Sequence, residues 1–171
     1  MTITADVDFK GYVRDVPDFP KPGICFKDIT PLLADPRAYR AATIGLCAPY
    51  SAEQVDVVVG IESRGFIFGA SVAERLDAAF VPARKPNKLP WKRHSVEYSL
   101  EYGVSILEMH EDAIKPGARV VVVDDLLATG GTANAACELV RKQQGTVMGC
   151  AFVIELTSLR GRQRLGDTPC H

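Results

Sequence analysis

Hydrophobic and polar positions alternate along the chain in two distinct rhythms. "QVDVVVGIE", from Gln54 to Glu62, is apolar and β-branched and predicts a strand, and "RGFIFGASVAERLDA", Arg64 to Ala78, then spaces Phe66, Phe68, Val72 and Leu76 as one face of a helix. "AAFVPA", ending at Ala83, predicts a further short strand. "VEYSLEYGVSILEMH", Val96 to His110, alternates as two strands around Gly103, a hairpin or ribbon. The unbroken valines of "PGARVVVVD" predict a strand buried on both faces. "GGTANAACELVRKQQ" predicts a helix stopped near Gly145, and "TVMGCAFVIEL" one more strand.

Upstream, "PRAYRAATIGLCAPY" spaces Tyr39, Ala42, Leu46 and Cys47 helically from Pro36 to Tyr50, with Asp35 as N-cap. The stretch before it carries Pro17, Pro20, Pro22, Pro31 and Pro36, which predicts irregular chain without a helix. Strands alternating with helices imply an α/β fold, a mostly parallel twisted sheet flanked by helices, with ligands at the carboxyl ends of the strands. The 171 residues suit one domain.

A hydrophobic share of 47% and a charged share of 24% exclude disordered and collagenous classes. The formal net charge of -1 supplies no general attraction to nucleic acid or to an acidic membrane. Cys25, Cys47, Cys137, Cys150 and Cys170 never take C-x-x-C spacing, which fits a reducing cytoplasm better than a disulfide framework or a thiolate zinc site. Cys25 reads as a small packed residue. His94, His110 and His171 form no metal spacing, and the pattern offers neither a signal peptide nor a membrane span.

The chemistry concentrates in "VVVVDDLLATGGT", Val120 to Thr132. Asp124 and Asp125 repel each other, so their pairing where the valines end points to an external partner. The turn after them leads into a helix whose first amides lack intrahelical acceptors. Gly130 and Gly131 let a phosphate approach, the hydroxyls of Thr129 and Thr132 donate, and the helix dipole favours the anion. Two carboxylates one turn away accept from sugar hydroxyls, so a phosphorylated ribose fits both halves. The G-x-x-x-x-G-K-[ST] and G-x-G-x-x-G loops are absent, which disfavours nucleoside triphosphatases and dinucleotide enzymes.

That segment resembles the phosphoribosyl-pyrophosphate signature of type I phosphoribosyltransferases. "PDFPKPGICFKDITPLL", "GIESRGFIFG" with "RKPNKLP", and "YSLEYG" with "ELTSLRGR" are similar, in order, to the adenine phosphoribosyltransferase family, from about Val13 to Leu165. The resemblance implies that fold with a small hood in residues 1–35 and a mobile lid loop in residues 84–95. It implies a magnesium-dependent, cytoplasmic, homodimeric enzyme of purine salvage. Adenine and 5-phosphoribosyl-1-pyrophosphate would be its substrates, AMP and pyrophosphate its products.

Carried onto this chain, the family pattern places Asp124 and Asp125 on the ribose hydroxyls. It places Ala128, Thr129, Gly130, Gly131 and Thr132 around the 5′-phosphate. Ser63 and Arg64 would meet the pyrophosphate beside a cis peptide between Glu62 and Ser63, with Arg84, Lys85 and Lys88 adding charge. Adenine would lie against Phe26 with Leu126 and Leu156 nearby, read by the backbone of Cys25 and Lys27. Lys27 stands where relatives often carry arginine, and lacks the planar fork. Glu101 would act as general base, with Arg64 assisting the departure of pyrophosphate. By pattern alone Glu101 reads as a solvent-facing strand residue like Glu97 and Glu108. The same family pattern continues past Leu165 with a further apolar segment, where this chain ends at His171.

Residues 84–95 also read from their own composition as a basic loop with nothing that can pack, free to close over an anion. Two rivals stand beside adenine transfer. One is the same transfer to another 6-substituted purine, whose 6-oxo edge would mismatch an acceptor and donor pair at Cys25 and Lys27. The other is a ligand-sensing regulator, disfavoured by the near-neutral charge and the lack of an added DNA-binding helix pair.

Overall fold

The structure is a computed structural model that describes residues 7–99 and 103–171. Two units divide the chain, Met1–Gly45 and Leu46–His171. In the first, β1 (Arg14–Val16) pairs antiparallel with β2 (Phe26–Asp28). Contrary to the proline count, a short helix follows, α1 (Thr30–Ala34). Pro31 lies in its first turn, where a missing N–H removes no helical bond. In α2 (Pro36–Cys47), Asp35 Oδ1 caps the first turn, accepting from the amides of Arg37 at 2.8 Å and Ala38 at 3.0 Å. Those bonds, Ala38's first, hold the Asp35 carboxyl below its usual range. The predicted helix ends early, because Ala48–Tyr50 tightens into a 3₁₀ turn around Pro49.

The second unit holds the alternation. β3 (Val57–Ile61) leads into α3 (Gly65–Arg75) and β4 (Ala79–Ala83), as the sequence predicts. β5 (Arg93–Ser99) and β6 (Val104–His110) form an antiparallel ribbon. β7 (Arg119–Leu127), α4 (Gly131–Lys142) and β8 (Thr146–Glu155) complete the main layer. The four strands run in the order β4-β3-β7-β8, all parallel. A 3₁₀ turn at Thr157–Leu159 and a short helix, α5 (Gly161–Leu165), close the chain.

Both faces of this sheet are covered. Val120, Val121, Val122 and Val123 are each 0% exposed, which accounts for a valine run without alternation. Val57, Val59, Val120 and Val122 share one core cluster with Ala136, Leu139 and Val140 of α4. Phe68 and Val72 of α3 are fully buried too, and α3 packs along β3 and β7. Burial of each such side chain contributes about 1.5–3 kcal/mol.

Four further sequence expectations are corrected. β7 does not stop at its valines; it continues through both acids, with Asp124 opposite Phe152 and Leu126 opposite Ile154. The basic segment 84–95 does pack, since Leu89 is buried and β5 begins inside it. Cys25 is exposed rather than packed, and Glu108 is buried where alternation suggests solvent. Among the described residues no helix is long and apolar enough to cross a membrane.

Candidate active site

At the carboxyl ends of β3 and β7 the chain opens into a cavity of about 390 Å³. The turn after β3 supplies Glu62, Ser63 and Arg64, while β7 and the turn beyond it supply Asp124, Asp125, Leu126, Ala128 and Thr132. Lys85 enters from the basic segment, and Tyr98 and Ser105, partners in the ribbon, complete the lining with Ile61. A larger cavity of about 690 Å³ lies in the N-terminal unit beside Tyr12, Arg37 and Arg40. It holds none of the predicted site residues, whereas eight of them line the smaller one.

The Glu62–Ser63 peptide is cis, as the resemblance implies. Beside it, Glu62 Oε2 accepts from Arg84 Nε at 3.2 Å and from the Lys85 amide at 3.0 Å. Burial raises the Glu62 carboxyl, but the Lys85 amide and the Arg84 guanidinium outweigh it and leave it below the ordinary range. Arg84 also donates to the Lys88 carbonyl at 3.2 Å and lies over the Phe66 ring at 5.8 Å. Its charge is thus largely shared with neighbours, whereas Lys85 is exposed and lines the cavity.

Arg64 Nε stands 3.0 Å from Asp125 Oδ2, an ion pair without the alignment of a hydrogen bond. The Asp124 carboxylate lies against Gly65 at the start of α3, and its Oδ1 accepts from the Asp125 amide at 2.9 Å. Burial, then the neighbouring Asp125 charge, pushes the Asp124 carboxyl well above its usual range. Burial raises Asp125 as well, opposed by Arg64.

The turn between β7 and α4 bends at Gly130. Gly130 adopts φ 80° with no side-chain cap, so α4 presents its first amides outward; the Asn134 amide reaches the Gly130 carbonyl at 2.9 Å. A cradle of donors at the positive end of a helix, with two carboxylates adjoining, suits a phosphorylated polyol.

Ser63, Arg64, Lys85, Asp124, Asp125, Leu126, Ala128 and Thr132 therefore meet in one cavity, with Thr129, Gly130 and Gly131 in the same turn. Arg84 and Lys88 adjoin it through Glu62 and their mutual bond rather than lining it. Leu156 follows β8, its amide on the Leu127 carbonyl at 2.9 Å. In the N-terminal unit Cys25 precedes β2, Phe26 packs edge-on to Phe19 at 5.2 Å, and Lys27 Nζ donates to Asp15 at 2.6 Å. That bond raises the Lys27 ammonium above its usual value. Glu101 lies outside the described residues.

Sequence reasoning assigned no role to Glu62, Tyr98, Ser105, Glu108 or Gly161. Glu62 adjoins the quoted Ser63–Arg64 pair and could have been found there; Tyr98 and Ser105 come to the cavity only because the ribbon folds over it. Among the described residues no group of three or more His, Cys, Asp or Glu is placed to hold a metal. The two carboxylates fit a cation whose remaining ligands are phosphate, hydroxyl and water oxygens; among the described residues Asp125 Oδ2 has no hydrogen bond, though Arg64 Nε stands 3.0 Å from it.

Fold and cleft together are those of a parallel-sheet protein whose strand ends suit a phosphorylated sugar. Residues 37–170 match the family model described as the phosphoribosyl transferase domain. The adenine phosphoribosyltransferase of Sorangium cellulosum is 62% identical, over 92% of this chain and 79% of its own. The crystal structure of the Rhodothermus marinus adenine phosphoribosyltransferase is 54% identical with TM-score 0.92, covering 95% of this chain and 93% of its own. The Saccharomyces cerevisiae adenine phosphoribosyltransferase, solved with adenine and an imino-altritol bisphosphate, is 37% identical with TM-score 0.89, over 95% and 94%. The chain belongs to the adenine phosphoribosyltransferases, within the phosphoribosyltransferase family.

Proposed function

We propose that this cleft binds 5-phosphoribosyl-1-pyrophosphate and transfers its phosphoribosyl group to adenine, giving AMP and pyrophosphate in purine salvage. The observation that carries the site assignment is the junction of the carboxylate pair with the uncapped start of α4 in one cavity. Amides of Gly130, Gly131 and Thr132, with the Ala128 backbone and the Thr129 and Thr132 hydroxyls, hold the 5′-phosphate. Asp124 and Asp125 hold the ribose hydroxyls, and Ser63, Arg64, Lys85, Lys88 and Arg84 face the leaving pyrophosphate.

Displacing pyrophosphate builds positive charge on the sugar and negative charge on the leaving group, so the side chains mainly position and neutralise. Carboxylates beside the ribose favour the first charge, and Arg64 with Lys85 the second. Magnesium, held through the ribose hydroxyls, pyrophosphate and Asp124 or Asp125, would share the charge of the leaving group. Glu101 takes the imidazole proton of adenine. In this reading residues 1–171 make one catalytic domain. Cys25, Phe26 and Lys27 recognise the base from within residues 1–35, Leu126 and Leu156 contribute apolar contact, and residues 84–95 form the pyrophosphate-side segment.

The enzyme acts in the cytoplasm as a homodimer, without nucleic acid or membrane partners. The free thiols of Cys47, Cys137 and Cys150 fit a reducing compartment. Edge strand β4 and α3 expose Phe80 at 37% and Ile67 at 40%, apolar surface that a second copy would cover. The test is a purine-by-purine assay with magnesium and 5-phosphoribosyl-1-pyrophosphate. AMP from adenine, with no nucleotide from hypoxanthine or xanthine, is expected; equal use of a 6-oxo purine overturns the base assignment.

A further inference from the structure

Glu108 is a buried carboxylate, 5% exposed, outside the cavity, and nothing in the transfer chemistry above uses it. Its two oxygens are nevertheless fully engaged with the basic segment. Oε2 accepts from the Asn87 amide at 3.1 Å; Oε1 lies 2.9 Å from Arg93 Nε and accepts from Ser95 Oγ at 3.4 Å. Its backbone exchanges two bonds with Arg84, at 2.8 and 2.7 Å.

Around Pro86, which has no N–H, the flanking amides are thus taken by two different carboxylates. Lys85 N–H goes to Glu62 and Asn87 N–H to Glu108. Asn87 sits at φ 63°, a left-handed turn position that asparagine tolerates, and Leu89 is buried just beyond. A segment rich in like charge would otherwise spread into solvent. Here both its ends are fastened by anions, and the Lys85 side chain is left to face the cavity.

We infer that Glu108 is a positioning residue: it fastens the turn Lys85–Lys88 so that the lysine ammoniums are presented to the pyrophosphate. The inference rests on the reading of residues 84–95 as the pyrophosphate-side segment. Glu108 touches no reacting atom; it acts through the lysines. Removing its charge frees the Asn87 turn and Arg93 together, and the ammoniums lose their fixed approach.

The test compares Glu108→Gln, Lys85→Ala/Lys88→Ala and the triple variant by steady-state kinetics. Glu108→Gln is expected to raise KM for 5-phosphoribosyl-1-pyrophosphate and the inhibition constant of pyrophosphate together by about tenfold, leaving KM for adenine within about twofold. In the lysine-free background the same substitution adds nothing further, the mark of one shared interaction. If the lysine variant raises KM while Glu108→Gln does not, or if the two effects simply add, the positioning role is overturned. If the lysine variant leaves KM unchanged, the pyrophosphate reading falls and this inference with it. Should Glu108→Gln fail to fold, Glu108→Asp keeps the charge but shortens the reach to Asn87; an unchanged KM in that variant overturns the role.

Discussion

The carbonyl oxygen of Gly161 occupies the space that a β-carbon on Gly130 would need, the two standing 2.3 Å apart; a β-carbon on Gly161 would in turn stand 2.3 Å from the Ala128 carbonyl. The start of α5 thus backs the turn before α4 closely, and only glycine at both positions allows it. Gly161→Ala is expected to push the turn forward, destabilising the protein by about 1–3 kcal/mol. KM for 5-phosphoribosyl-1-pyrophosphate should rise on the order of ten- to a hundredfold, because small displacements of a positioning loop weigh heavily. Calorimetry with substrate titration checks both; unchanged affinity would remove α5 from the support of the site.

Arg64 and Asp125 are unequal partners. Asp125 is 3% exposed, while the Arg64 side chain is 32% exposed. Removing the arginine leaves a buried carboxylate uncompensated; removing the carboxylate leaves a cation that water still reaches. Arg64→Ala should therefore destabilise more than Asp125→Asn, by about 1–3 kcal/mol, below the penalty for a pair buried on both sides. Adding Asp125→Asn to Arg64→Ala should recover part of that loss. Urea denaturation of the three variants decides it, and equal losses for the two single variants would contradict the asymmetry.

Asp124 carries a carboxyl raised well above the usual range by burial and by Asp125. For an acid shifted upward, the folded state binds more protons than the unfolded one between the two pKa values. Its contribution is therefore fully present below the unfolded value and is lost as pH rises through the folded one. Asp124→Asn should remove that loss and stabilise the protein at neutral pH, with each kcal/mol gained raising Tm by about 2–4 °C. Binding of 5-phosphoribosyl-1-pyrophosphate should weaken in the same variant, since the ribose hydroxyls lose a charged acceptor. Thermal melts across pH in both proteins check the sign: the gain should shrink toward acid, and a gain that grows there would refute it.

The long elements were legible because their periods are strong. The valines of β7 and the apolar face of α4 admit only a strand buried on both sides and a helix, and the glycines and threonines between them mark a turn suited to an anion. Glu108 was not legible: Glu97 and Glu108 look alike along the ribbon, yet only Glu108 is covered, by the segment that folds back from Arg84 to Arg93. Pro31 misled because its position within a first turn matters more than the number of prolines around it. Gly161 gave no signal, since α5 is too short to show a period and its role is set by the backbone it touches.

Tyr98 and Ser105 face each other across the ribbon, and both line the cavity. The general base proposed above, Glu101, has one task, accepting the adenine proton as the new bond forms; that task does not require it to hold the sugar donor. Glu101→Gln keeps the shape and removes the basicity. Turnover should fall on the order of a hundredfold or more, the usual share of a positioned general base. The dissociation constant for 5-phosphoribosyl-1-pyrophosphate should stay within about threefold, because no transition-state contact is read in ground-state binding. Rapid-quench turnover and equilibrium titration on the same preparation separate the two effects. Equal loss in both would place Glu101 among the substrate-holding groups and leave the proton without an acceptor.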